Sequence, residues 1–297
     1  MKLALKIDVD TFRGTREGLL PLVSLLHKTG ANATFLFSLG KDHTGWAVKR
    51  AFKPGFMKKV SRTSVIHHYG IKTLLYGTLL PGPDIGRRCG ELMRQVASAG
   101  FEVGIHTYDH VKWQNNVAVA DATWTESEMH AACARFEEIF GQPALTHGAA
   151  GWQMNPHAFR LTQRLGFRYA SDTRGHSPFV PVQQAEIIAC PQLPTTLPTL
   201  DEVMGLDGDA LEHMLKLSEN PRPTGHVYTL HAELEGMKLI GTFEKLLQRW
   251  KSMGYEFASL KEYFESLPEI LPRHEVVYEE IPGRAGKLAM QGKEFLS

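Results

Sequence analysis

The chain has 297 residues, 43% of them hydrophobic, with 33 Lys and Arg against 32 Asp and Glu. That length and apolar fraction suffice for a full buried core and exclude a disordered or low-complexity chain. A formal net charge of +1 gives no global attraction to nucleic acid, so no nucleic-acid partner is expected and any electrostatic partner must meet a local patch.

Strand-like sequence begins almost at Met1. In "LALKIDVDTF" the apolar residues Leu3, Leu5 and Ile7 run into two carboxylates, Asp8 and Asp10. Lys6 and Asp8 interrupt the continuous apolar segment that a signal peptide needs, so no secretion is expected. Nowhere do about eighteen uninterrupted apolar residues occur, so no transmembrane helix is expected either. The three cysteines, Cys89, Cys133 and Cys190, are odd in number and form no CxxC pair, which fits a reducing compartment. The acid pair itself poses a question. Two carboxylates this close on a buried strand each raise the other's pKa, and burial adds to the penalty, so they call for a cation or a strong donor.

Further along, the apolar runs "ATFLF", "FEVGI", "PALTHG", "FRYAS", "EIIAC", "HVYTL" and "YEFAS" alternate with helix-like stretches. Met129, Cys133, Phe136, Ile139 and Phe140 before Gly141, and Phe243, Leu246, Leu247 and Trp250 before Gly254, have the spacing of crossover helices. About eight such units predict an α/β chain folded as a (β/α) barrel, with its chemistry at the C-terminal ends of the strands. The rival is a doubly wound sheet, and no G-x-G-x-x-G turn follows the first strand to favour it. No internal repeat appears, and residues 1–297 read as one domain. Residues 41–90, with "KDHTGWAVKRAFKPGFMKKVSR" and "LLYGTLLPGPDIG", exceed an ordinary βα loop and read as a basic amphipathic insertion after the second strand.

Aligned by their C-terminal ends, the strands bring Asp8, Asp10, His106 and His110 of "HTYDH", Asp172 of "YASDTRG" and His231 of "YTLHAE" to one mouth. One carboxylate and two imidazoles suit Zn²⁺ or a similar divalent ion with positions left for water and substrate. The bland alternative is a set of satisfied structural histidines, and an acid after a strand such as Asp172 is often a helix N-cap. A sharper rival is a phosphatase of the haloacid-dehalogenase type, because "DVDT" matches that family's D-x-D-x-T motif. Its late paired acids are absent here, and it leaves the histidines unexplained.

Taken together, "DVD", "HTYDH" and "LHA" resemble, in order, three motifs of the NodB-like polysaccharide deacetylase superfamily. The resemblance implies a distorted (β/α) barrel, with Asp8 as general base, Asp10, His106 and His110 as metal ligands and His231 as general acid. Asp172 lies near the fourth motif, whose acid tunes that histidine. The superfamily usually carries an Arg that orients the base; here the segment reads "THGAAGWQ" without one, and Arg174 or Arg13 is the expected substitute. The insertion and the stretches "LPTTLPTLDEV" and "IPGRAGKLAMQG" are similar to a narrower group, the deformylases of undecaprenyl-phosphate-linked 4-deoxy-4-formamido-L-arabinose. That group implies a divalent metal, Zn first and Mn, Co or Ni as alternatives. It also implies a lipid-linked amino-sugar substrate, a place in aminoarabinose modification of lipid A and polymyxin resistance, and a peripheral position on the cytoplasmic face of the bacterial inner membrane.

Two further sets follow from charge. Arg13 and Arg16, just past the acid pair, are candidates for the substrate phosphate, because guanidinium binds phosphate bidentately. Between Lys41 and Arg62, seven basic residues stand against one acid and alternate with apolar ones. This suits an anionic membrane surface, with Trp46, Phe52 and Phe56 as contacts. The alternatives are a deacetylase of N-acetylated sugars or polysaccharide, and a non-catalytic protein that binds a lipid-linked sugar.

Overall fold

The computed structural model describes residues 1–51, 70–204, 208–220, 222–282 and 284–296. Its strands among these residues are β1 (Lys2–Val9), β2 (Thr34–Phe37), β3 (Glu102–Ile105), β4 (Thr146–His147), β5 (Tyr169–Ala170), β6 (Val180–Gln183), β7 (Glu186–Ile187), β8 (His226–His231), β9 (Glu256–Ala258), β10 (Arg273–Glu279) and β11 (Leu288–Glu294).

Side chains alternate along a strand, and β1 uses both faces. Leu3, Leu5, Ile7 and Val9 are fully buried and join the large apolar cluster with Leu19, Leu22 and Leu26 of helix Leu19–Thr29. Each such side chain contributes about 1.5–3 kcal/mol relative to exposure. Ala4 belongs to a second cluster with Val227, Tyr169, Leu193, Leu260 and Tyr263. Helix Leu260–Glu265 supplies the last two, and its Leu260 N–H donates to Thr34 Oγ1 over 2.7 Å. The N-terminal end of the barrel is therefore plugged, and only the opposite end can be open.

The main sheet runs β5-β4-β3-β2-β1-β8, with β9 also on β1, and all its pairings are parallel. The first strand lies between the second and a late one, as in a barrel wrap. There is no reversal of order beside β1, so the doubly wound alternative is excluded, and with it the fold that the phosphatase reading requires. Closure is irregular. Between the edges β5 and β8 runs Pro191–Leu197: Leu193 N–H donates to Ala170 O over 2.7 Å, and Thr196 N–H donates to Val227 O over 3.0 Å. Pro191 and Pro194 have no N–H to give a ladder, so this eighth stave cannot become a regular strand. The barrel is distorted for that reason.

Two expectations change. The run "EIIAC" contributes not a barrel stave but β7, in a separate sheet ordered β11-β10-β6-β7 that the C-terminal tail completes. The insertion also ends earlier than Gly90, because Asp84 caps helix Ile85–Ser98 through Arg87 N–H at 2.9 Å. It leaves and returns at one place, where Asp42 N–H donates to Pro83 O at 2.9 Å and Ile85 N–H to Gly40 O at 2.8 Å. Its described parts include helices Thr44–Ala51 and Ile71–Leu75. Among the described residues no helix is long and apolar enough to cross a membrane.

Gly18, where the first two helices meet, lies against the turn after β8, and a Cβ there would stand 2.2 Å from Ala232 O and 2.8 Å from Gly14 O. Both are backbone atoms that cannot step aside. Gly18→Ala is expected to lower stability by about 3 kcal/mol. Gly241→Ala, in helix Ile240–Ser252 with nothing near its Cβ, is expected to raise it by about 0.5–1 kcal/mol. Denaturant unfolding of both variants checks the pair.

Candidate metal centre and active site

The inward face of β1 carries charge above its apolar floor. Lys6 is fully buried, with Nζ 3.4 Å from Asp8 Oδ2 and donating to Ser171 O over 3.0 Å. Gly148 makes room for Leu36 and Lys6, since a Cβ there would lie 2.4 Å from Leu36 Cδ1 and 3.0 Å from Lys6 Cε. Removing one partner of such a pair leaves an uncompensated buried charge, at a cost of about 3–5 kcal/mol.

One residue past β1, Asp10 faces His106 and His110. Asp10 Oδ1 lies 3.2 Å from His106 Nε2 and Asp10 Oδ2 lies 3.4 Å from His110 Nε2. One ligand atom from each of the three falls within 4.8 Å of the others. Local structure sets up both imidazoles. Thr107 adopts a left-handed φ of 65°, costly for a β-branched residue, and this turns the chain between the end of β3 and helix His110–Asn116. Asp109 caps that helix, accepting from Lys112 N–H at 3.0 Å. His106 Nδ1 donates to Gly148 O over 2.6 Å, which fixes the tautomer and leaves the Nε2 lone pair toward Asp10.

The electrostatics fit a cation. Burial pushes His110 down to about 4 in spite of Asp10, so the ring is neutral and able to ligate at pH 7. Burial would lift the Asp10 carboxyl, but His110, His106 and His231 hold it well below the usual range. Burial opposes charge on His106 as well, yet Asp8 and Asp10 raise its pKa on balance. Asp8 Oδ1 and Asp10 Oδ1 are both buried without a hydrogen-bond partner among the described residues. One carboxylate and two neutral-capable imidazoles, with orphaned oxygens beside them, are a donor set that a divalent ion satisfies.

Opposite Asp8 in the ladder stands His231. Its Nδ1 lies 3.9 Å from Asp201 Oδ1, and Arg284 Nη2 lies 3.2 Å from the same oxygen. Two glutamates brace this end of β8. Glu233 Oε1 accepts from Asp10 N–H at 2.9 Å, Thr11 N–H at 2.6 Å and Thr11 Oγ1 at 2.9 Å, fixing the turn that aims Asp10. Glu235 accepts from His231 N–H and from the Tyr228 hydroxyl, each at 3.0 Å. Burial drives both carboxyls up, that of Glu235 to about 7.

No family model matches this chain. A Shewanella sediminis protein named "Probable 4-deoxy-4-formamido-L-arabinose-phosphoundecaprenol deformylase ArnD" is 36% identical over 292 residues, covering 98% of this chain and 94% of that protein. A Wigglesworthia glossinidia brevipalpis protein of the same name is 32% identical over 284 residues, covering 94% of this chain and 99% of that one. The chain belongs to the ArnD deformylase family. A crystal structure described as that of a polysaccharide deacetylase from Mycobacterium smegmatis shares the fold, with a TM-score of 0.61 at 17% identity over 91% of this chain and 94% of that one.

Within this ArnD-family chain, Asp8, Asp10, His106, His110 and His231 come together at the C-terminal ends of their strands. Asp172 does not join His231. Its carboxylate accepts from His147 Nδ1 at 2.7 Å, Ala149 N–H at 2.8 Å and Gln192 Nε2 at 3.2 Å, so it holds the loop whose Gly148 carbonyl orients His106. The acid beside His231 is Asp201. Arg174 pairs with Glu202 at 2.8 Å and Arg13 with Glu17 at 2.9 Å; among the described residues the cation paired with Asp8 is Lys6. Strand parity held the signal for Lys6, two residues from Asp8 on the same face. Asp201 and Arg284 carried no local signal. Arg16 is exposed, with Cζ 5.4 Å from the Phe12 ring, and Arg88 Cζ lies 6.0 Å from the same ring. Trp46 is no free surface anchor: half-buried, it stacks on His43 at 4.0 Å and donates its indole N–H to Gly77 O over 2.6 Å. Phe52 and Phe56 lie outside the described residues.

Metal analysis after dialysis against Zn²⁺ separates the roles in the inner group. Asp10→Ala is expected to lose at least about tenfold in affinity, whereas Asp8→Asn retains the metal, its oxygen being outside the three-residue set. Equal loss in both variants would place Asp8 among the ligands.

Proposed function

We propose that the chain hydrolyses the formamide of undecaprenyl-phosphate-linked 4-deoxy-4-formamido-L-arabinose, releasing formate, in the modification of lipid A with aminoarabinose. The observation that carries this reading is the pairing of Asp8 with His231 across adjacent strands beside Asp10, His106 and His110. A proton acceptor and a proton donor thus flank one ligand set, in a chain similar over nearly its whole length to proteins named as deformylases.

Amide hydrolysis needs two proton transfers. Asp8, with the Lys6 ammonium 3.4 Å from its Oδ2, takes a proton from the attacking water. Asp10, His106 and His110 would hold a divalent ion, Zn²⁺ before Mn²⁺, Co²⁺ or Ni²⁺, which supplies charge to polarise the formyl carbonyl and acidify water. His231 then delivers a proton to the departing sugar nitrogen, because an amide anion is too poor a leaving group to go alone. Arg13 and Arg16, just past Asp10, are the guanidinium groups proposed to meet the substrate phosphate; Arg16 is exposed, with Arg88 beside the same Phe12 ring.

Formate release from the lipid-linked formamide by purified, metal-loaded protein tests the reading. No release would favour the non-catalytic alternative, and faster turnover of the acetamide would favour the deacetylase one. His231→Ala is expected to lose about 10²–10⁴-fold on the formamide and far less on a formate ester of a good leaving group. Equal losses would make His231 a substrate-positioning group only.

The lipid anchor of that substrate cannot leave a bilayer, so the chain works at the cytoplasmic face of the inner membrane as a peripheral protein. The basic run from Lys41 to Arg62 supports this placement, each cation near an anionic surface adding about 1 kcal/mol. Since Trp46 is committed within the fold, the apolar contacts fall to Phe52 and Phe56. Phe52→Glu with Phe56→Glu is expected to abolish sedimentation with anionic vesicles at low salt while sparing a short, water-soluble formamide. Undiminished vesicle binding by this double variant would remove the insertion from the membrane contact.

A further inference from the structure

The C-terminal tail enters the site through one side chain. Arg284 donates from Nε to Glu202 Oε1 over 2.6 Å, from Nη2 to Asp201 Oδ1 over 3.2 Å, and from Nη2 also to Thr199 Oγ1. Its guanidinium carbon lies 5.1 Å from the Trp152 ring centroid, and that of Arg174 lies 4.8 Å from it. Trp152 is buried and pinned by its indole N–H to Thr195 Oγ1 at 3.0 Å. The loop carrying Arg284 is tied to the barrel where Gln153 Nε2 donates to Ala285 O over 2.7 Å.

Two details give this arrangement a direction. Asp201 and Glu202 are adjacent acids in the first turn of one short helix, and like charges so placed need cations. Glu202 has two, because Arg174 Nη1 reaches Oε1 at 2.8 Å and Oε2 at 3.2 Å. The contacts to Asp201 are fewer: Thr199 Oγ1 donates to its Oδ1 over 2.6 Å, Arg284 holds that same oxygen, and that oxygen faces His231 Nδ1. Burial would lift the Asp201 carboxyl, but Arg284 and then His231 keep it below its usual value, hence ionised. With 26% of its side chain exposed, Asp201 has somewhere to swing once the clamp is gone, whereas Glu202 keeps Arg174.

The geometry points to Arg284 as a positioning residue for the general acid, clamping Asp201 so that its negative charge stands 3.9 Å from His231 Nδ1, a buried nitrogen with no hydrogen-bond partner among the described residues, and favours the imidazolium that gives its proton to the substrate nitrogen. The tail is thereby part of the site. This rests on the hydrolase reading above, and adds to it a residue that touches neither the ligand set nor the base.

The test compares a formamide with an aryl formate ester, whose leaving group departs without a proton. Arg284→Gln is expected to lower kcat on the formamide about tenfold, a fraction of the general-acid contribution, with KM and metal content unchanged and the ester rate within about twofold. Asp201→Asn should show the same selectivity, and the double variant should be no slower than Asp201→Asn alone, since both changes act on one unit. Arg284→Lys keeps a cation beside the two acids and reads the same effect at smaller size if the Gln variant does not fold. Equal losses on amide and ester in whichever variant folds, or losses that multiply in the double variant, would overturn the assignment. If the unmodified protein releases no formate from the formamide, the hydrolase reading itself fails, a result distinct from either of these.

Discussion

A lysine and an aspartate with almost no access to water face each other inside the barrel, and much of the site follows from the space and partners they require. Asp8 and the Ser171 carbonyl meet the Lys6 ammonium there, the kind of partners that a buried cation requires. A Cβ at position 148 would meet Leu36 Cδ1 at 2.4 Å and Lys6 Cε at 3.0 Å, so glycine stands there. The Gly148 carbonyl accepts from His106 Nδ1, while Asp172 and His147 fix the loop. The loop that fixes the tautomer of a ligand histidine thus also packs, through one glycine, on the buried cation of β1.

The mouth is rich in carboxylates, and their surroundings sort them. Asp10, Asp201 and Glu202 face imidazoles or guanidinium groups that offset burial and hold them ionised. Glu233 and Glu235 face mainly backbone N–H and hydroxyl groups, and burial raises both. The first set can bear charge toward a metal or a protonated histidine; the second braces the turns that carry Asp10 and His231. Pushing pKa values apart by environment lets acids crowd one opening without mutual repulsion unfolding it.

Much of this was legible in the residues themselves. Strand ends located Asp8, Asp10, His106, His110 and His231, because their polar types follow apolar runs and a parallel barrel gathers such ends at one mouth. Lys6 was in plain view, but an interruption in an apolar run and a charge on the inward face of that run look alike until the alternation is followed through Asp8. Asp172 and Asp201 were not separable, since each is an acid after a turn, and only the three-dimensional path of the proline-broken stave brings the second beside His231. The second sheet had no signal of its own either: β10 and β11 read as a tail until β6 gives them a partner.

The insertion is braced to both segments that carry the ligands. Asp42 Oδ2 accepts from Phe12 N–H at 2.9 Å, two residues past Asp10, and its Oδ1 accepts from Thr44 N–H at 3.0 Å. Next to it, His43 Nδ1 pairs with Asp109, the residue before His110, and is sandwiched in turn by Trp46. Burial raises the Asp42 carboxyl above its usual value, against the bonds from Thr44 and Phe12, so this tie is made in a poorly solvated place and is not easily exchanged for water. An excursion of this length on an ordinary βα loop would be free to drift relative to the barrel. Here its base is fastened on one side to the turn after β1 and on the other to the cap of the His110 helix, so the described part of the insertion and the ligand set form one mechanical unit at the open end of the barrel.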